Sequence, residues 1–310
     1  LAVLAGAAGS ALAQNVGPST LQTPYFVPTI PGLQMVVYSI ASNGNGTTTP
    51  DESFARLNGA APYRLAGPPD GLGAFRSAQD LLDGTFSLVC NHELGNSQGI
   101  VRDHGSRGAF VSLWKIRTNP GAANHLEVIG AQNLMQTVNL FRRSSSAYET
   151  YNAANPMPTY NGALGTGPDP SLNGFARFCS ADMAPMSAYR FGALGTDERI
   201  FLNGEENGAT GRAFAHIATG AEAGTSYELP RFGNYSWENA LACPFPQERT
   251  VVVGTDDSTP GNVYIYVGTK QSSGNAIERA GLTNGVKYGP VIAGVTVTLS
   301  TEKTGETLTW

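Results

Sequence analysis

Three stretches of the chain repeat one pattern of polar and hydrophobic positions. Each begins with acidic or turn-forming residues, continues through four or five strand-forming positions, and ends in acidic or His-Glu residues. The stretches are DGTFSLVCNHE at 83–93, DERIFLNGEE at 197–206 and ERTVVVGTDD at 248–257. If they are equivalent strands of repeated sheets, their terminal carboxylates meet at one pole of the fold. These carboxylates are Glu93, Glu205, Glu206, Asp256 and Asp257.

The third stretch continues into TPGNVYIYVGTK, a turn followed by a second alternating strand, so DDSTPGN predicts a hairpin connection. Glu205 and Asp256 are about 50 residues apart, close to the length of one four-stranded propeller blade. A β-propeller explains both the repetition and the convergence, because its inner strands all run along a central channel. Barrel and sandwich architectures are the alternatives.

Composition supports an all-β fold. The chain holds 38 Gly and 19 Pro, which break long helices and suit short strands joined by turns. Only 137–147 and 211–219 lack frequent helix breakers, and neither carries a sustained apolar stripe. We therefore predict few helices.

The chain divides into three predicted regions. Residues 1–13, LAVLAGAAGSALA, show the apolar run and small-residue ending of a truncated secretory signal, and are too short to span a bilayer as a helix. Residues 14–73 form an irregular entry segment with one strand, in GLQMVVYSI, and residues 74–310 form propeller blades. Because the sequence stops in a strand-like stretch at Trp310, we expect an incomplete propeller from a longer exported protein.

Charge and motifs exclude several function classes. The net charge of −5 gives no basic footprint for nucleic acid. The sequence contains no Ser nucleophile elbow, Walker A loop, HExxH helix or CxxC pair. Nucleophilic, nucleotide-dependent and zinc-protease chemistries are therefore disfavoured.

The predicted carboxylate pole needs cations, because like charges a few ångströms apart repel strongly in a partly dry site. Hard oxygen ligands in this number suit calcium. A Cys179 thiolate in the same site would imply a transition metal such as iron as well. Cys179 can equally be a buried structural thiol or half of a disulfide, and Cys90 could pair with Cys243. His92 is expected to support the site through hydrogen bonds.

The order of these motifs resembles the exported alkaline phosphatase family called PhoX. The resemblance covers roughly residues 70–270. It rests on DGTFSLVCNHE with GIVRDHGSRGAFVSLWKI, on FCSADM followed by FLNGEE, and on FGNYSWENA followed by VVVGTDD and VYIYVG. It implies a six-bladed β-propeller and a phosphatase site with two bridged iron ions and three calcium ions.

The resemblance also implies a set of metal ligands. Cys179 matches the iron-bound thiolate, and the other positions match carboxylate ligands: Glu93, Glu205 or Glu206, Glu238, and Asp256 or Asp257. This chain departs from the family in a longer interval between Cys179 and Glu205, and in Trp237 where the family commonly has His. Glu238 is otherwise an ordinary turn carboxylate.

Three functions are consistent with the sequence. The first is an exported, metal-dependent phosphatase that hydrolyses phosphomonoesters at an iron and calcium site. The second is a non-catalytic calcium-binding propeller that binds a ligand or glycan, and the third is a calcium-dependent lactonase or esterase. The expected partner of the phosphatase is a small phosphorylated substrate, and we expect a monomer with no nucleic acid and no membrane span.

Overall fold

A computed structural model gives the structure of the chain. It describes residues 14–25, 37–44, 48–160, 163–164, 174–289, 298–300 and 307–309. The predicted signal segment, 1–13, lies outside the described residues.

The described residues form many short strands. In chain order they are β1 (Gln14–Val16), β2 (Val37–Ser39), β3 (Ser53–Phe54), β4 (Tyr63–Arg64), β5 (Pro69–Phe75), β6 (Thr85–His92), β7 (Phe110–Arg117), β8 (Val128–Asn133), β9 (Thr137–Arg142), β10 (Ala147–Tyr151), β11 (Thr159–Tyr160), β12 (Ala163–Leu164), β13 (Phe178–Asp182), β14 (Arg190–Phe191), β15 (Leu194–Gly195), β16 (Ile200–Glu205), β17 (Ala213–Ile217), β18 (Thr225–Glu228), β19 (Trp237–Ala242), β20 (Arg249–Asp256), β21 (Val263–Thr269), β22 (Val286–Tyr288), β23 (Thr298–Ser300) and β24 (Thr307–Thr309).

Helices are short and few among the described residues. They are α1 (Ala78–Asp83) and α2 (Ala276–Arg279), with 3₁₀ turns at Met186–Ala188, Gly208–Thr210 and Pro230–Phe232. The segments that lacked helix breakers are strands: β9 and β10 occupy 137–151, and β17 lies within 211–219. The all-β prediction is confirmed.

The chain divides into two compact units. The first unit contains Leu1–Gly67, Ala74–Leu88 and Leu113–Gln132, and the second contains Pro68–Gly73, Val89–Ser112 and Asn133–Trp310. The division of the chain between 73 and 74 stays a prediction. The entry segment also holds more than the one predicted strand: its described part contains β1 to β4 and most of β5.

Asp80 anchors the first unit. It closes a capping box with Ser77 at the start of α1, and its carboxylate also accepts hydrogen bonds from Thr85 and Ser87. Lys115 lies 2.5 Å from the same carboxylate. Burial raises the pKa of Asp80, but the bonds from Lys115, Ser77 and Thr85 outweigh it and hold that pKa well below its usual range.

Three antiparallel meanders carry the three repeated sequence stretches. The first sheet has the strand order β5-β6-β7-β8, and the last has β19-β20-β21-β22. Between them lies a six-stranded sheet of order β10-β9-β18-β17-β16-β13, in which β13, β16, β17 and β18 pair antiparallel and β9 pairs parallel to β18. The predicted hairpin is confirmed as β20 and β21. Each repeated stretch therefore contains the second strand of a meander. These second strands are β6, β16 and β20.

Glycines allow the first strands of neighbouring sheets to approach closely in the second unit. A Cβ on Gly71 of β5 would lie 2.6 Å from the Ala181 Cβ and 2.8 Å from the Cys179 carbonyl oxygen on β13. A Cβ on Gly204 would lie 2.4 Å from the Trp237 Cβ on β19. Such contacts exclude any larger side chain, so Gly71 lets β5 approach β13, and Gly204 lets β16 approach the start of β19.

Candidate metal centre

The first strand of each meander supplies one polar side chain at its second position. These residues are Asp70 in β5, Cys179 in β13 and Glu238 in β19. Glu238 therefore lies in a strand and is not a turn carboxylate, because β19 begins at Trp237.

The second strand of each meander supplies one carboxylate directly after its last residue. These are Glu93 after β6, Glu206 after β16 and Asp257 after β20. Because paired strands in a meander run antiparallel, the start of the first strand and the end of the second lie at the same edge of the sheet. All six residues lie in the second unit, and the same end of three sheets therefore presents five carboxylates and one thiol.

Cys179 lies at the centre of this group. Its Sγ, one carboxylate oxygen of Glu206 and one of Glu238 all lie within 4.8 Å of one another. The thiol donates to Glu238 Oε2 at 3.2 Å and lies 3.6 Å from Asp70 Oδ2. The Ser180 hydroxyl donates to the other Glu238 oxygen at 2.9 Å. One soft sulfur atom and two hard oxygen atoms thus lie close enough together to bind one metal ion.

Arg177 joins two of the carboxylates at the rim. Its Nε donates to Glu93 Oε1 at 3.1 Å, and its Nη2 donates to Glu206 Oε1. The guanidinium is half exposed, whereas the Glu206 side chain is 11% exposed. The residue adopts φ 49°, a left-handed conformation that non-glycine residues rarely take.

The cluster disfavours negative charge. Burial, reinforced by the hydrogen bond to Glu238 and the charges of Asp70 and Glu238, raises the pKa of the Cys179 thiol well above its usual range. Burial also raises the pKa of Asp70, helped by the charges of Glu93 and Glu238. The pKa of Glu206 is raised for the same reason, although Arg177 opposes the shift. Protons or cations must therefore neutralise the site.

Strand alternation separates these residues from a second set that faces the interior. Phe178 pairs directly with Glu205, and Trp237 with Asp256. Directly opposed side chains lie on the same face of an antiparallel pair, so Glu205 and Asp256 share the face of two buried aromatic rings. Register shifts after Phe178 and after Trp237 then place Cys179 and Glu238 at the pole.

Glu205 is held in a buried ion pair. Arg212 donates from Nε and Nη2 to its two oxygens at 2.6 and 2.8 Å, and the Ala176 amide adds a bond at 3.1 Å. The side chains of Glu205 and Arg212 are 2% and 4% exposed. This pairing leaves Glu206, rather than Glu205, as the ligand candidate at the end of β16.

His92 and Asp256 occupy the corresponding interior positions of the other two meanders. His92 is buried, stacks on the Phe110 ring at 3.9 Å between centroids, and shares a hydrogen bond of 2.7 Å with the Ser112 hydroxyl. Asp256 has one buried carboxylate oxygen, Oδ1, that accepts no hydrogen bond from any residue the structure describes. Asp256 thus lies on the face of Trp237, whereas Asp257 follows the last residue of its strand, as Glu206 does.

A chain of buried polar groups holds the backbone at Cys179. Asn91 Nδ2 donates to the Cys179 carbonyl at 2.5 Å, and Asn203 Nδ2 donates to Asn91 Oδ1 at 2.8 Å. His216 Nε2 lies 2.9 Å from Asn203 Oδ1, and its Nδ1 lies 2.7 Å from the Ser226 hydroxyl. This chain links four strands, β6, β16, β17 and β18, to the backbone of the central residue of the site, so it restricts where the thiol can lie.

Asp70 is a member of the cluster that the sequence did not predict. The PPDGLGAF stretch lies in what was predicted to be an irregular segment, so its carboxylate had no strand to place it. One feature of the sequence could have indicated Asp70. A strand precedes each repeated stretch, and the strands before the second and third stretches carry Cys179 and Glu238 at their second positions. Cys90 and Cys243 remain free thiols, as does Cys179, so the possible disulfide is not formed.

The donor set fits the metals that the sequence suggested. One thiol sulfur with neighbouring carboxylates matches a transition metal such as iron, and carboxylates around it match calcium. Three of the donor groups have raised pKa values because burial and the neighbouring acidic groups disfavour their ionised forms, and a bound cation would favour those forms. The residues present are therefore chemically compatible with both metals.

Comparisons with known proteins add one structural likeness. No protein-family model matches the chain, and no curated protein matches it. Among solved structures, the chain is similar to Pseudomonas fluorescens PhoX in complex with vanadate, a transition state analogue, with a TM-score of 0.43 and 13% identity. The match covers 73% of this chain and 45% of that one, so this chain spans less than half of the solved structure. A likeness of this size does not establish family membership.

Proposed function

We propose that the chain is an exported metal-dependent phosphatase that hydrolyses phosphomonoesters at an iron and calcium site. The observation that carries the proposal is the convergence of the Cys179 thiol with carboxylate oxygens of Glu206 and Glu238 within 4.8 Å. The order of the sequence motifs, which resembles the PhoX family, supports the same activity.

Six side chains would hold the metals. Cys179, Glu206 and Glu238 would form the iron site, and Asp70, Glu93 and Asp257 would complete the calcium sites. When bound, these ions would supply Lewis-acid stabilisation of the charge on the transferred phosphoryl group. Of the carboxylates that the sequence suggested, Glu205 and Asp256 would support the site from the interior rather than bind metal.

The chain's own residues orient this donor set. Ser180 fixes one oxygen of Glu238, and Asn91 fixes the backbone of Cys179. Asp257 is exposed and Arg177 is half exposed, so a small charged substrate can reach the rim from solvent. The absence of a nucleophilic serine motif fits a reaction in which metals, rather than side chains, activate the attacking group.

Export and the partner class belong to the same proposal. Residues 1–13 resemble a secretory signal, and among the described residues no helix is long and apolar enough to cross a membrane. The acidic net charge of −5 does not favour nucleic acid. We propose a small phosphorylated substrate and a monomeric protein.

Elemental analysis with an activity assay tests the proposal. The full-length protein, loaded with iron and calcium, is expected to contain both metals and to hydrolyse an aryl phosphate at alkaline pH. Cys179→Ser should lose iron and activity together. Cys243→Ser is the matched control, because Cys243 is only partly buried and lies outside the cluster; it should retain both. A full-length protein that holds both metals but shows no hydrolysis would refute the phosphatase proposal.

A calcium-only function is the second candidate, because five of the six converging groups are carboxylates. It covers a non-catalytic calcium-binding propeller that binds a ligand or glycan and a calcium-dependent lactonase or esterase. Calcium without iron in the purified chain would favour this class. Activity on a lactone that survives Cys179→Ser would then identify the enzyme, and no activity would identify the binding protein.

A further inference from the structure

Arg177 occupies an unusual position at the metal centre. It lies two residues before Cys179 and adopts φ 49°, although the left-handed region normally favours glycine. This backbone directs a long cationic side chain across the rim of the acidic cluster. A glycine would satisfy the backbone equally well, so the backbone conformation alone gives no reason for an arginine.

The guanidinium makes two ion pairs with proposed metal ligands from different sheets. Its Nε bonds Glu93, which follows β6, and its Nη2 bonds Glu206, which follows β16. Glu206 is also one of the three groups around the Cys179 sulfur. Arg177 therefore provides positive charge to the same carboxylates that cations would neutralise.

We propose that Arg177 is an internal cation that exchanges its partners when metal binds and then binds an anionic oxygen group of the substrate. This inference rests on the proposed function. In the cation-free state, Arg177 pairs with Glu93 and Glu206. In the cation-loaded state, those carboxylates bind metal, and the guanidinium presents two donors to the substrate.

Two physical arguments support the exchange. A guanidinium and a metal ion compete for the same carboxylate oxygens, and the ion at the centre of several oxygens is the stronger competitor. A guanidinium released at a partly exposed rim retains its charge and its planar pair of N–H groups, which match two oxygens of a phosphate. The side chain is half exposed, so an anion can reach it without rearrangement of the core.

The test measures calcium and inorganic phosphate binding to the full chain by titration calorimetry. Phosphate is kept below the concentration at which calcium phosphate precipitates. Arg177→Gly removes the side chain and suits φ 49°, so the backbone should not be disturbed. Arg177→Lys keeps the charge without the planar pair of donors. Arg190→Gly is the matched control, since Arg190 forms a partly exposed ion pair with Asp197 at 3.5 Å outside the cluster.

The proposal gives opposite effects on the two ligands. Arg177→Gly should bind calcium roughly 5-fold more tightly, because its internal competitor is gone. The calcium-loaded variant should bind inorganic phosphate roughly 10-fold to 100-fold more weakly than the unaltered chain. Arg177→Lys should bind calcium like the unaltered chain but bind phosphate more weakly. Phosphate binding to the unaltered chain should require calcium.

Other results would overturn it. Weaker calcium binding by Arg177→Gly would show that Arg177 holds the ligands in place and does not compete with metal. Unchanged phosphate binding, or binding independent of calcium, would remove the anion role. If the unaltered chain binds neither calcium nor iron, the proposed metal centre fails first and this inference fails with it. Metal binding and hydrolysis that are both insensitive to Arg177 would refute the inference alone.

Discussion

Glu205 and Glu206 are neighbours in the chain but belong to different regions of the molecule. Glu205 is 2% exposed and forms a bidentate ion pair with Arg212 in the interior. Glu206 lies at the pole beside Cys179, where the neighbouring acidic groups and burial raise its pKa. The two adjacent carboxylates therefore differ in their pairing. Glu205 forms two hydrogen bonds with a buried arginine, whereas the charge of Glu206 is only partly neutralised by the half-exposed Arg177.

The other two meanders repeat this division. His92 and Asp256 lie on the interior side of the pole, and Glu93 and Asp257 follow them on the side of the site. The reason is the two-residue period of a strand, which directs adjacent side chains to opposite faces. In each doubled polar ending, one residue therefore faces the interior of the sheet, and the next lies on the side of the candidate metal centre.

The largest expected effect comes from breaking the interior pair. Glu205→Gln leaves the Arg212 guanidinium buried without its counter-charge, which typically costs about 3–5 kcal/mol. Urea unfolding should therefore show a large fall in the free energy of unfolding. If Glu205→Gln costs no more than a surface substitution, the interior side of the comparison is wrong.

As the pH falls, the buried histidines of the interior should lower the stability of the fold before the carboxylates at the pole do. Burial and the charge of Arg102 lower the pKa of His104 to about 3, and burial and the charge of His104 lower that of His216 to about 3. The folded state therefore binds fewer protons than the unfolded state, whose histidine pKa is about 6.5. The contribution of these two histidines to the free energy of unfolding is fully present above pH 6.5 and is lost as the pH falls from there towards 3.

The expected loss is about 1.4 kcal/mol per pH unit for each histidine in that window. Urea unfolding at pH 7.5, 6.0 and 5.0 measures the slope. His216→Gln should remove about half of the loss that these two histidines cause, because the lowered pKa of His104 would remain. A flat profile between pH 7.5 and 5.0 would contradict the neutral, buried state of both rings.

Breaking the chain of buried polar groups behind Cys179 should lower the free energy of unfolding less than Glu205→Gln does. It should also make the Cys179 thiol more reactive. Asn91→Ala removes the donor to the Cys179 carbonyl and leaves Asn203 without its acceptor, at a cost of about 1–3 kcal/mol. Labelling of Cys179 by a thiol reagent should become faster. Asn207→Ala is the control, since its side-chain bond to Thr210 is exposed; it should change neither quantity.

The smallest effect on stability is expected at the pole. Glu206→Gln removes a charge that its neighbours disfavour, while it also loses the bond from Arg177, so the cation-free chain should change by no more than about 1 kcal/mol. Its stabilisation by added calcium should fall, as thermal unfolding with and without calcium would show. Glu205→Gln should show the reverse: a large loss of stability without calcium, and a retained calcium response in the fraction that folds.

Much of the fold was readable from local pattern. The alternation in TVVVGTDD and VYIYVG predicted β20 and β21 and the hairpin between them, because a two-residue period and turn residues are local properties. The entry segment was harder to interpret. Strands β3 and β4 have only two residues each, which is too short for any periodicity, and the Pro-Pro-Asp-Gly start of β5 reads as a turn.

By itself, the sequence determined the all-β class, the three equivalent strand ends and the chemical type of a carboxylate and thiol site. Only the tertiary structure decided which residue of each doubled ending faces the site, because that choice depends on the register of Phe178 with Glu205 and of Trp237 with Asp256. It also added Asp70 and Arg177. Their places depend on the close approach of neighbouring strands and on a single left-handed residue, and neither leaves a periodic signal in the chain.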